Sequence, residues 1–312
     1  MKKFTRLFAL ALCVLFPLLC LLYVVFYVFD AAGREEEPTK AIVELWHIDS
    51  FEGGKGSRAA FLKRTARKYE KAKDGVYIMV CSYTAEGAQQ AIREGKCPDL
   101  LSFSCGLDGA AELCRRLPYA FSGGELESGC FAYPWACGKY FLFSLDGDFS
   151  FVAADNLILS QGGGLVSCAA AAEGIFCENF AASTSAYVRF LNGDYQYLLG
   201  TQRDVCRFEA RGTAVQRKEI SAYNDLYQYI SLTTDEESLE PACREFIDLL
   251  LSEETQGELS SIGMYPLSEC NASYTLSAFV SGAGREQADS LARAALKSGD
   301  TKILKNYLKA LN

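Results

Sequence analysis

Three strand–helix units in a row constrain this chain more than any other feature. "AIVELWHI", Ala41 to Ile48, is a continuous apolar run of buried-strand type. Ser57 is placed to cap the next segment, "RAAFLKRTARKYEKAK". There Phe61, Leu62, Thr65, Ala66 and Tyr69 recur at helical spacing, and Lys63, Arg64, Arg67, Lys68 and Lys71 take the other face. "GVYIMVCSY" with "TAEGAQQAIREG", and "CPDLLSFSCG" with "LDGAAELCRRL", repeat the alternation. Such a series predicts a parallel sheet, with ligands near the C-terminal ends of its strands. Trp46–Phe51, Tyr83 and Ser102–Gly106 lie at those ends.

The loop after the first strand, "FEGGKGSR", has the look of a phosphate cradle but lacks its chemistry. A phosphate loop needs Lys followed at once by Ser or Thr, and here Gly56 separates Lys55 from Ser57. The dinucleotide glycine spacing fails as well. What remains is a loop at a helix N-terminus, where free N–H groups favour polar ligands.

Before these units stands a separate segment. Lys2, Lys3 and Arg6 precede Leu7 to Phe29, which holds no charged residue. As a helix this run spans ~35 Å, enough to cross a bilayer. The basic flank before it and "REEE" after it predict a signal-anchor with its N-terminus inside, while "AAG" at Ala31–Gly33 leaves cleavage open. The expected organisation is residues 1–33 as cytoplasmic tip and transmembrane helix, 34–40 as linker and 41–312 as an extracellular domain. A net charge of −8 argues against nucleic acid as a partner. Of the 13 cysteines, two lie in the apolar run, leaving an odd eleven outside. Most read as small buried hydrophobes, with room for one or two disulfides. The lack of C-x-x-C and the single histidine, His47, give a metal site little support.

Past Pro118 the pattern loosens. "LSQGGGLVSCAAAAEG" reads as a loose small-residue stretch, "TSAYVRFLNG" as a short helix and "DYQYLLGTQRDVCRFEARG" as strand, turn, strand. "SAYNDLYQYISLTT" is strand-like. "SLEPACREFIDLLLSEETQGELSSIGMYP" predicts a pair of helices, with Ser238 as cap, Pro241 in the first turn and Gly263 as stop. The tail predicts one or two amphipathic helices.

In order along the chain, "LWHIDSFEGGKGSRAAFLKRTARKYEK", "IREGKCPDLLSFSCG", "YPWACGKYFLF", "AYVRFLNGDYQYLLGTQRDVCRF" and "CREFIDLLLSEETQGELSSIGMYPLS" resemble the extracellular, sugar-type solute-binding proteins of bacterial ABC importers. The resemblance implies an α/β chain with the two-lobed periplasmic-binding-protein-like fold (type II). Lobe 1 is then mainly 41–135, lobe 2 mainly 140–270, and tail helices fill 274–312. The second lobe reads as abbreviated between Asp146 and Thr184. The implied function is capture of a carbohydrate in the interlobe cleft and delivery to an ABC permease, with no catalysis and no cofactor. An anchored sensor or interaction protein on the same fold is the alternative.

Such proteins stack aromatic rings on sugar faces and aim polar groups at hydroxyls. On that expectation the rings are Trp46, Tyr83, Trp135, Tyr140 and Tyr223, and the polar groups are Asp49, Glu52, Arg203, Asp204 and Asp225. His47 reads as a satisfied, partly buried histidine rather than a base. A Cys–His hydrolase lacks any third group to orient it.

Overall fold

The computed structural model describes residues 15–23, 41–117, 125–126 and 129–311. Met1–Lys40 and Ala41–Asn312 are separate compact units. In the first, residues 15–23 are helical with exposed side chains. The expected membrane span, Leu7 to Phe29, extends beyond them on both sides, and the 34–40 linker also lies outside the described residues. Among the described residues no helix is long and apolar enough to cross a membrane.

The second unit begins with the three expected strand–helix pairs. These are β1 (Ala41–Ile48), α1 (Arg58–Ala72), β2 (Val76–Tyr83), α2 (Ala85–Arg93), β3 (Leu100–Phe103) and a single turn, α3 (Ala110–Leu113). Ser57 Oγ accepts from the Ala60 amide and Thr84 Oγ1 from the Gly87 amide, which fixes where α1 and α2 start. The short strands β4 (Glu125–Leu126) and β5 (Gly129–Cys130) pair with each other, and β6 (Tyr133–Cys137) follows.

Next come β7 (Tyr140–Ser144), β8 (Leu157–Gln161), α4 (Val166–Glu173), β9 (Phe180–Ala182), α5 (Ser183–Leu191), β10 (Tyr197–Thr201), α6 (Gln202–Arg211) and β11 (Gln216–Ile220). The chain then runs through β12 (Tyr223–Asn224), β13 (Tyr227–Leu232), α7 (Glu240–Leu251) and α8 (Glu253–Gly257). It ends with β14 (Tyr274–Thr275), α9 (Gly282–Ser298) and α10 (Lys302–Ala310).

Two five-stranded sheets result, ordered β2-β1-β3-β13-β6 and β11-β7-β10-β8-β9. In the first, β2, β1 and β3 are parallel, while β13 runs antiparallel to both β3 and β6. Residues 227–232 lie inside the range expected for lobe 2, yet they close the sheet of lobe 1. The main chain therefore passes between sheets at 138–139 and returns at 221–226. In the second sheet Phe143, Leu198 and Ile158 stand in register on one face beneath α5 and α6, and Leu142, Leu199 and Leu159 line the other. A disulfide joins Cys137 to Cys270 across 133 residues. Closing so long a loop contributes about 4–5 kcal/mol in the chain-entropy account.

Three local expectations are corrected. The stretch read as loose is strand β8 followed by α4, whose residues Val166 to Ala172 are all buried. A helix buried on every side has no polar face and hence no 3.6-residue period to read. "TQRDVCRFEAR" is not a turn and a second strand but helix α6. Thr201 and Asp204 form a capping box that satisfies the first amides of that helix. The helix expected to be capped by Ser238 starts after Leu239, and Ser238 Oγ bonds Glu236 instead.

Candidate functional site

The C-terminal ends of β1, β2 and β3 open into a cleft of about 1120 Å³. Asp49 and Ser50 follow β1, Tyr83 and Glu86 come from β2 and α2, and Ser104 and Asp108 follow β3. Leu165 reaches the cleft from the second lobe, and Arg285, Glu286 and Asp289 face it from α9. Side chains beyond parallel strand ends have no further strand to cover them, which is why this edge is the one left concave.

Asp49 is aimed by a hydrogen-bond chain that starts in the core. Trp135 Nε1 and Gln228 Nε2 each donate to Ser102 Oγ at 3.1 Å. With two donors arriving, the Ser102 hydroxyl sends its own proton to His47 Nδ1, 3.0 Å away. The His47 proton then sits on Nε2 and donates to Asp49 Oδ1 at 3.1 Å. Arg58 Nε donates to the same oxygen at 2.6 Å. Burial opposes ionisation of Asp49, but His47 and Arg58 outweigh it and bring its pKa down to about 2. The Asp49 side chain is 51% exposed, a fixed anion presented to the cleft.

Trp135 is 0% exposed and stacks on Phe61 at 5.8 Å. Trp46 is 2% exposed, with Nε1 bonded to Glu44 and its ring packed 4.5 Å from Tyr83. Tyr83 alone of the five expected rings borders the cleft.

Tyr140, Tyr223 and Asp225 meet beneath the cleft. Asp225 Oδ1 accepts from Tyr140 Oη at 2.7 Å, and Oδ2 accepts from the Leu165 amide at 3.0 Å, with Arg285 Nη2 at 3.5 Å. Tyr223, 0% exposed, packs 6.5 Å from Tyr140. A carboxylate this buried is tolerated because each oxygen is answered. Asp225 thus ties the crossing strands to α4 and α9.

Glu52 and Arg203 belong to a clasp between the lobes, and Asp204 is buried beside it in the cap of α6. The Glu52 amide donates to Gly162 O at 2.8 Å, its carboxylate accepts from Ser183 Oγ at 2.6 Å, and its carbonyl accepts from Gln202 Nε2 at 2.8 Å. Arg203 Nη1 donates to Gly54 O at 2.5 Å. Asp204 is engaged by the Thr201 amide at 3.1 Å and by Arg207 at 2.9 Å. Of the ten expected residues, Asp49 and Tyr83 line the cleft, and the other eight sit in the core or at contacts between lobes.

Sequence reasoning passed over Glu86, Asp108, Arg285, Glu286 and Asp289. The first two follow strand ends and were reachable by the argument that named Tyr83. The last three ride on a tail helix to which no pattern assigns a place. His47 is 1% exposed with both ring nitrogens bonded, neither of them to a cysteine. Cys105 does border the cleft, but burial pushes its thiol up to about 12, which leaves it a poor nucleophile. Among the described residues no cluster is suited to a metal.

No family model matches the sequence, and no curated protein matches it. Solved structures do match. The sugar-binding protein MalE from Xanthomonas citri aligns over 86% of this chain and 96% of its own, with 10% identity and TM-score 0.60. The fold is shared. A cyclo/maltodextrin-binding protein complexed with maltotetraose aligns over 89% and 98%, with 12% identity and TM-score 0.58. A substrate-binding domain assigned to a molybdenum ABC transporter from Clostridium difficile aligns over 73% and 100%, with 12% identity and TM-score 0.52. The chain has the two-lobed periplasmic-binding-protein-like fold, and proteins of this shape hold chemically different solutes.

Proposed function

We propose that this chain is an extracytoplasmic solute-binding receptor that holds a small polar solute in the cleft at the ends of β1, β2 and β3. The observation that carries the reading is the position of that cleft: a space of about 1120 Å³ at the strand ends of a solute-binding fold. The Cys137–Cys270 disulfide supports an oxidising compartment. The uncharged run Leu7 to Phe29 supports an N-terminal membrane anchor. Delivery to an ABC permease is the role that this combination serves, and no bond-making step is part of it. Support for a carbohydrate comes from the sugar- and maltodextrin-binding proteins of the same fold. Against it, Trp46 and Trp135 lie in the core and leave Tyr83 as the only expected ring at the cleft, so the reading is held at a polar solute.

A second reading has its own observation. The β1–α1 loop bonds directly to the second lobe through Glu52 and Gly54, so the lobes are held together by the chain itself. A ligand drives closure only through contacts that are better in the closed state. A protein closed without one suits an anchored sensor or interaction role. Thermal melting of the full chain in detergent with maltotriose, amino acids, linear amines and molybdate separates the two. A ligand at 100 times its dissociation constant adds about 2.7 kcal/mol and raises the melting temperature. One responding class is the expected result, and silence across the panel favours the second reading.

A further inference from the structure

We propose that the solute of this cleft is a linear amine carrying two or more ammonium groups. The inference rests on the reading of the cleft as the solute site, and it names the chemistry. Five carboxylates line the space, Asp49, Glu86, Asp108, Glu286 and Asp289, against one cationic side chain, Arg285. Arg285 is engaged through Nη2, which faces buried Asp225 at 3.5 Å and donates to the Gly163 carbonyl, while its buried Nε has no hydrogen-bond partner among the described residues. Arg58 answers Asp49 at 2.6 Å, and Arg293 answers Asp289 at 2.8 Å.

Three carboxylates then remain without a cation among the described residues. Glu86 stands in the first turn of α2, Asp108 in the β3–α3 loop and Glu286 early in α9, so they belong to three different walls. Among the described residues Asp108 accepts one hydrogen bond, from the Gly282 amide at 2.8 Å. A neutral sugar filling this space takes water from three like charges and cancels none of them. An anion adds to the repulsion. A chain of ammonium groups separated by methylenes neutralises the walls one by one. Tyr83 supplies the remaining element, a half-buried ring backed by Trp46 and open to the cleft, suited to an ammonium or its methylenes.

The test is calorimetric titration of the full chain in detergent with spermidine and, separately, with maltotriose. It uses wild type and the double variant Glu86→Gln, Glu286→Gln. Both glutamates are exposed, and among the described residues neither side chain takes a hydrogen bond or ion pair, so the variant melts as wild type does. The expected result is saturable one-to-one binding of spermidine, weakened about tenfold in the variant and by added salt, with no heat from maltotriose. Equal spermidine binding by wild type and variant is diffuse counter-ion condensation and overturns the inference. Maltotriose binding without spermidine binding also overturns it, while the receptor reading stands. If both compounds and the rest of the melting panel are silent, the receptor reading fails with it.

Discussion

His47 is the only histidine in the chain, so its titration can be read apart from every other group. Burial, with Arg58 adding to it, holds its pKa below the ordinary 6.5, and the hydrogen bond to Asp49 opposes them without prevailing. The folded protein therefore keeps this ring neutral where the unfolded chain would take up a proton. Stability from His47 is complete above about pH 6.5 and falls as pH drops below it, by at most about 1.4 kcal/mol per pH unit. Urea midpoints measured from pH 7 to pH 5 are expected to fall in wild type and to stay level in His47→Gln. Equal slopes in the two proteins would show that the ring titrates freely in the folded state. Asp49 acts in a separate window, since its folded pKa is about 2 against an ordinary 3.8. Its contribution is lost only as pH falls through that lower range.

The β1–α1 loop is the element on which the two lobes meet. Gly54 packs against the Gly263 backbone so closely that an added Cβ would strike its carbonyl, and Lys55 N donates to Ile262 O at 3.0 Å. Gly163, at φ +89°, leaves equally little room beside Ser50 and Phe51. The substitution Gly54→Ala is expected to lower stability by about 1–3 kcal/mol through overpacking, read as an earlier denaturant midpoint. An unchanged midpoint would mean that the loop is not clamped. The sequence made β1, α1, β2, α2 and β3 legible because alternating apolar runs and caps are local signals. It hid α4, whose alanines are buried on every side, and α6, whose Thr201–Asp204 cap is short-range but was masked by the tyrosine- and leucine-rich strand approach in "DYQYLLGT". Tyr83 and Asp49 were legible at the site because strand ends are local. Trp46 and Trp135 were not placed in the core, because a ring at a strand end can face either way and only the packing around it decides.

At the scale of the whole molecule, α9 is the part that ties the unit together. Its first turn bonds the lobe 1 loop through Gly282 and Asp108, and Arg285 reaches Asp225 and Gly163. Ala288, Ala292 and Ala295 are buried farther along the helix, where Cys168 Sγ of α4 donates to Ala288 O at 3.6 Å. No pattern in the sequence gave this helix an address, so three of the cleft's charged residues came only with the fold. The same placement supplies the most direct test. Ala283 is exposed and lines the cleft from α9, so Ala283→Trp fills the space without entering the core. Thermal melting of the full chain with spermidine and with maltotriose is expected to show wild type stabilised by spermidine. Ala283→Trp, melting at the same temperature when unliganded, is expected to show no response. An equal shift in both proteins would contradict the assignment of this cleft as the solute site.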